Sequence, residues 1–140
     1  MLIDEIKKAN IEAMKARDAD ARAVLSIVIN KYTTANIEAK AAGKELTDAD
    51  MLAIIQKTLK ELQDEGDDYW KAGNAERYDS ITHQKRAISV FLPKQLTEAE
   101  IKAEINKLED KSIPSIMKHF KANYAGQVDM SVVSRIARGA

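Results

Sequence analysis

The chain predicts an all-α fold on three observations. Apolar residues recur at three- and four-residue spacing along most of its length, helix-start signals stand at Thr47 and Thr97, and turn-formers are scarce, with five Gly and two Pro in 140 residues. Hydrophobic residues make up 45% and charged residues 31%, a balance that suits a packed helical protein rather than a disordered tail. A chain of this length holds one ordinary core or two small helical units, not two large domains.

The first helix is expected from about Leu2 to Lys15, with Ile3, Ile6, Ala13 and Met14 at helical spacing, and the polar run Arg17-Asp18-Ala19-Asp20 stops it. A second helix continues to about Ala42 with Val24, Leu25, Val28, Ile29 and Tyr32 on one face, and Gly43 stands where a helix C-terminal glycine would. So short a link makes the pair antiparallel. Thr47-Asp48-Ala49-Asp50 has a capping-box layout, a hydroxyl to accept an early backbone N–H and an acid three residues on. It opens a long third helix with the stripe Met51, Ile55, Leu59, Leu62 and Tyr69, in which Gly66 and Gly73 are the weak points and Gly73 a terminus before Asn74. The fourth helix turns Tyr78, Ile81, Ile88 and Leu92 inward and halts at Pro93.

Beyond Pro93, Thr97-Glu98-Ala99-Glu100 is a full capping box ahead of Ile101, Ile105 and Leu108. Pro114 suits the first turn of the next helix, whose stripe is Ile113, Ile116, Met117, Phe120 and Tyr124 and whose end is Gly126. Asp129 caps a last helix built on Met130, Val133, Ile136 and Ala137. The expected organisation is an N-terminal four-helix unit, residues 1–92, followed by a small three-helix C-terminal unit, residues 93–140. Helices this short are marginal alone, so the last three depend on packing against one another.

Lys and Arg together number 22, as do Asp and Glu, which excludes a uniformly basic nucleic-acid binder. The distribution is uneven. From Pro114 onward Lys118, Lys121, Arg135 and Arg138 face the single acid Asp129, so any polyanion contact belongs there. The turn at Gly126 precedes a helix start whose free N–H groups can receive a phosphate, with Asp129 as the competing cap. No apolar run approaches the roughly 18 residues of a membrane span, and Met1-Leu2-Ile3-Asp4-Glu5 lacks a secretory pattern. With no Cys there is no disulfide framework or thiolate chemistry, which fits a cytoplasmic protein.

Catalysis would need a nucleophile with its base, a metal cluster or a phosphate loop. Gly43-Lys44 is the nearest phosphate-loop lookalike, but Glu38 stands where the loop needs glycine and no strand precedes it. The expectation is no catalytic residue, metal or cofactor. His83 falls opposite the Ile81–Ile88 stripe and His119 flanks Met117–Phe120; both read as solvent-facing, and neither belongs to a His-x-x-x-His or Glu-x-x-His pair. His119, beside Lys118 and Lys121, is a candidate anion contact. The run Asp64, Glu65, Asp67, Asp68 does not match an EF-hand and reads as a solvated face. Tyr69 reads as core, Trp70 as a partly exposed ring suited to a protein contact, and Met14, Met51, Met117 and Met130 as core filler.

Three stretches together resemble the GatB/YqeY family. The first is Ala13-Met14-Lys15-Ala16-Arg17-Asp18 with Arg22 and Leu25. The second is Tyr69-Trp70-Lys71-Ala72-Gly73-Asn74, then Phe91-Leu92-Pro93-Lys94-Gln95-Leu96-Thr97, and the third Ile116-Met117-Lys118 with Tyr124-Ala125-Gly126, Asp129, Val133 and Arg135. The chain departs from the family's usual pattern at Pro114 and Ser115, where glycine and lysine are usual, and at Asn123, Ala125 and Gln127, where basic residues are. Ser26 and Leu62 stand where arginine is common. The resemblance implies an all-α protein whose C-terminal unit is similar to the tail of the B subunit of tRNA-dependent amidotransferase. There the tail helps hold tRNA while the kinase and amidase chemistry lies elsewhere. It therefore implies a non-catalytic, RNA-binding accessory contacting tRNA, or an amidotransferase–tRNA complex, through Lys118, Lys121, Arg135 and Arg138. The alternatives are a protein-interaction module with no RNA role and a partner-dependent component of a glutamine-dependent carbon–nitrogen ligase.

Overall fold

A computed structural model describes residues 1–139. Among the described residues all regular structure is helical: α1 (Leu2–Lys15), α2 (Ala19–Ala41), α3 (Asp48–Lys71), α4 (Ala75–Ser89), α5 (Glu98–Lys107), α6 (Ile113–Asn123) and α7 (Met130–Ala137). The chain divides into two compact units, Met1–Phe91 and the residues from Leu92 onward.

In the first unit the starts of α2, α3 and α4 each have a local cause. The polar run after α1 works as a stop because Arg17 turns into the left-handed region at φ 56°, while the Asp18 N–H donates to Ala13 O at 2.9 Å. The Asp18 carboxylate then accepts the Ala21 N–H at 3.1 Å and opens α2. Thr47 and Asp50 form the reciprocal capping box of α3, and the Asn74 side chain accepts the Arg77 N–H at 3.1 Å to open α4. Ile3, Ile6, Val24, Val28, Met51, Ile55 and Ile88 are buried at the centre.

Several stripe assignments are corrected. Met14 is half exposed, because α1 turns Ile3, Ile6 and Ala13 inward and Met14 lies a further 100° round the helix. The buried line of α3 is Met51, Ile55, Thr58, Leu62 and Gly66, with Leu59 and Tyr69 only half buried. Thr58 tolerates burial because its hydroxyl donates to Ile54 O at 2.8 Å and accepts from Lys31 Nζ at 3.0 Å. Lys31 also reaches Glu61 at 2.5 Å, tying α2 to α3 and holding the Glu61 carboxyl below its ordinary value. The fourth helix stops at Ser89 rather than continuing to Leu92; residues ahead of a proline are steered out of helical backbone.

Gly66 is a point of close approach rather than a weak point. A Cβ there would stand 3.2 Å from Cγ2 of Ile81 on α4. Gly66→Val is expected to destabilise the protein by about 1–3 kcal/mol through overpacking, read from the urea midpoint. An unchanged midpoint would show that α3 and α4 do not meet there.

In the second unit Ile101, Ile105, Ile116, Phe120, Val128, Val133 and Ile136 form one core. Thr97 and Glu100 make the capping box of α5, and Pro114 sits in the first turn of α6. Ile113 is exposed, a correction to the α6 stripe, and Val128 from the loop after α6 joins the core. That loop is fastened to the segment entering α5. Gln95 Nε2 donates to Gly126 O at 2.6 Å and to Pro93 O at 2.9 Å, and the Leu96 N–H donates to Gln127 O at 2.8 Å. Gly126 is buried with φ 77°, a conformation costly to any residue with a Cβ. Much of the Leu-Pro-Lys-Gln-Leu-Thr segment is therefore a clasp on the α6–α7 turn.

Candidate functional site

The candidate site lies on the second unit. Burial of Ile116 and Phe120 leaves Lys118 and Lys121, three residues apart, on the exposed side of α6. Burial of Val133 and Ile136 likewise leaves Arg135 exposed on α7 and Arg138 exposed as its C-cap. The four do not stand in equivalent surroundings. Arg135 pairs with Glu98 of α5, both side chains exposed, a contact that a phosphate can displace because surface pairs contribute little. An open groove of about 320 Å³ between α5 and the end of α7 is lined by Lys102, Asn106, Ile105, Ile136 and Gly139. It brings in Lys102, a cation of the acid-rich α5 that no motif marks.

The start of α7 is already occupied. Asp129 accepts the Ser131 N–H at 2.9 Å and the Ser131 hydroxyl at 2.7 Å, so the cap rather than an external phosphate takes these donors.

His119 is a correction. Its side chain is only 24% exposed and its Nε2 lies 3.0 Å from Glu104 Oε1 on α5. With the proton on Nε2, the ring donates to Glu104, leaving Nδ1 3.3 Å from the Asn123 amide. The ring stands edge-on to Phe120 at 5.5 Å. It fastens α5 to α6 rather than presenting itself to an anion. The hydrogen bond from His119 holds the Glu104 carboxyl below its ordinary value of 4.5, with Tyr124 adding to this. Burial, then the Glu104 charge, pushes the Tyr124 hydroxyl up. Sequence reasoning places Tyr124 on the apolar stripe of α6 and misses Glu104 and the contact the two share with His119, because the cluster joins two helices whose relative rotation only packing sets.

A carboxyl depressed in the folded state contributes stability above its unfolded value and loses it as pH falls through the folded one. The second unit is therefore expected to lose stability as pH drops below about 4.5, and Glu104→Gln to blunt that loss. Amide exchange of α5 and α6 across this range measures it, and an identical acid response in the variant would contradict the role of Glu104.

Ser115 braces the start of α6: its hydroxyl donates to Asp110 Oδ2 at 2.7 Å, while the Ser112 N–H donates to Oδ1 at 2.9 Å. These bonds hold the Asp110 carboxyl below its usual range.

In the first unit His83 is half exposed, as the sequence implies, yet it sits between two carboxylates. Nε2 lies 3.4 Å from Asp18 and Nδ1 3.3 Å from Asp20. Ser80 donates to Asp20 at 2.6 Å, which makes this a polar seam between α4 and the start of α2. Among the described residues no group of three or more His, Cys, Asp or Glu side chains is placed to hold a metal ion. No helix among them is long and apolar enough to cross a membrane. What the site can do chemically is pair exposed cations with an anion; Glu98, Glu100, Glu104, Asp110 and Asp129 are engaged in ion pairs, caps or hydrogen bonds within the unit.

No curated protein matches the chain. The family model described as Yqey-like protein matches residues 3–139, so the chain belongs to the Yqey-like protein family.

Proposed function

We propose that this protein is a non-catalytic accessory that binds RNA, tRNA in particular, through α5–α7, and works in the cytoplasm beside a tRNA-dependent amidotransferase or its tRNA complex. On this reading residues 1–92 are a four-helix N-terminal domain, and residues 93–140 are a three-helix domain similar to the amidotransferase tail. The observation that carries it is the exposure of Lys118, Lys121, Arg135 and Arg138 on one small unit, where Asp129, the only acid after Pro114, is turned back onto the start of α7. The reaction chemistry belongs to the partner, and this chain supplies positively charged surface for the RNA backbone.

The test is fluorescence anisotropy of labelled tRNA with the full chain, beside an assay for amidation of Glu-tRNA given glutamine and ATP. Binding that weakens steeply with salt, with no turnover, is expected. Turnover by the pure chain, or failure to bind tRNA at low ionic strength, would overturn the reading.

A further inference from the structure

The groove between α5 and the end of α7 is lined by two polar side chains that the fold leaves unused. Lys102 and Asn106 are both exposed there, and among the described residues no side-chain hydrogen bond or ion pair engages either of them. Two acids of α5 are committed elsewhere. Glu98, one turn ahead of Lys102, pairs with Arg135 of α7, and Glu104 faces His119 of α6. Lys102 therefore stands as an unpaired cation in a groove whose other wall is the end of α7, the helix that carries Arg135 and is capped by Arg138.

The lining selects its occupant. A lysine ammonium is a compact point charge suited to a phosphate. Asn106 follows four residues on along α5, so its Cβ lies about 5–6 Å from that of Lys102 on the same helix face, close enough for the two to hold adjacent groups of one nucleotide. Its amide both donates and accepts, as a ribose 2′-hydroxyl does. Ile105 and Ile136, at 9% and 8% exposure, open only an apolar edge to the groove, a floor for the C–H face of a sugar. No aromatic ring stands among the described lining residues, so the groove lacks the platform on which bases stack. A Cβ on Gly139 would meet nothing within 4 Å, so no described neighbour crowds the groove there.

We propose that the α5–α7 groove seats one ribose–phosphate unit of an RNA strand, with Lys102 on the phosphate and Asn106 on the 2′-hydroxyl, and that this contact favours RNA over DNA without reading base sequence. It rests on the RNA-binding reading of this unit and gives α5 a specificity-determining residue, Asn106, that no sequence motif marks.

The probes are a labelled single-stranded RNA oligonucleotide of uracil-free sequence and the DNA of the same sequence, each titrated with the full chain and followed by fluorescence anisotropy. The wild type is expected to hold the RNA more tightly than the DNA. Lys102→Gln is expected to flatten the slope of log affinity against log salt by roughly 0.7 on either strand, the release from one phosphate contact. Asn106→Ala is expected to weaken the RNA alone and so narrow its advantage over DNA about two- to tenfold, the net worth of one hydrogen bond. Both side chains are exposed, so the variants should keep the helical spectrum of the wild type. Titration with the RNA should also move the amide resonances of Lys102, Asn106 and Gly139. If the wild type binds the RNA, the groove is ruled out by an unchanged slope in Lys102→Gln, by an unchanged preference in Asn106→Ala, or by shifts at Lys118 and Lys121 with none at Lys102 and Asn106, and the RNA reading stands without it. Failure of the wild type to bind the RNA at low ionic strength overturns both.

Discussion

Phe120→Ala is expected to cost about 3–5 kcal/mol, the range for deleting a fully buried aromatic side chain. Phe120 is completely buried at the centre of the α5–α7 core, with Tyr124 at 5.5 Å and the His119 ring edge-on at the same distance. Small units bury proportionately less surface, so they have little stability to lose. Amide exchange in α5, α6 and α7 should accelerate toward the unprotected rate. Lys121→Ala, on the exposed side of the same helix, should stay within about 0.5 kcal/mol of the wild type. Unchanged protection of α5–α7 in Phe120→Ala would contradict the core described here.

The same residue shows what a one-dimensional pattern carries. Ile116 and Phe120 are spaced for one helix face and both are buried, as are Ile101 and Ile105 behind the cap at Thr97. Local devices are legible because their parts are neighbours in the chain: Thr47 with Asp50, Thr97 with Glu100, and Asp129 with Ser131. Features that depend on how one helix meets another are not. Thr58 enters the core because Lys31, distant in sequence, supplies a donor, and Val128 does so from a loop with no helical period to mark it. Gly66 reads as a helix weakness until Ile81 is seen against it.

The candidate site divides along the same line. Exposure of Lys118, Lys121, Arg135 and Arg138 follows from the apolar residues they alternate with. The partners do not follow from the sequence. Glu98 engages Arg135 from α5, and Glu104 withdraws His119 from solvent, each across a helix boundary.

The most direct test of the central claim is the slope of log tRNA affinity against log salt for the wild type and for the joint variant Lys118→Gln, Lys121→Gln, Arg135→Gln and Arg138→Gln. Each phosphate contact releases roughly 0.7 counterion on a single strand and 0.9 on a duplex, so losing four contacts should flatten the slope by roughly 3. If Arg135 stays on Glu98 while RNA is bound, the change should be roughly 2. The helical spectrum of the variant should match that of the wild type, since all four side chains are exposed. Matched changes at Lys7, Lys8, Lys57 and Lys60 in the first unit control for net charge and should alter the slope less. The larger flattening of the slope and loss of binding are expected for the C-terminal set; equal slopes for wild type and variant, or a larger effect from the N-terminal set, would contradict the RNA assignment.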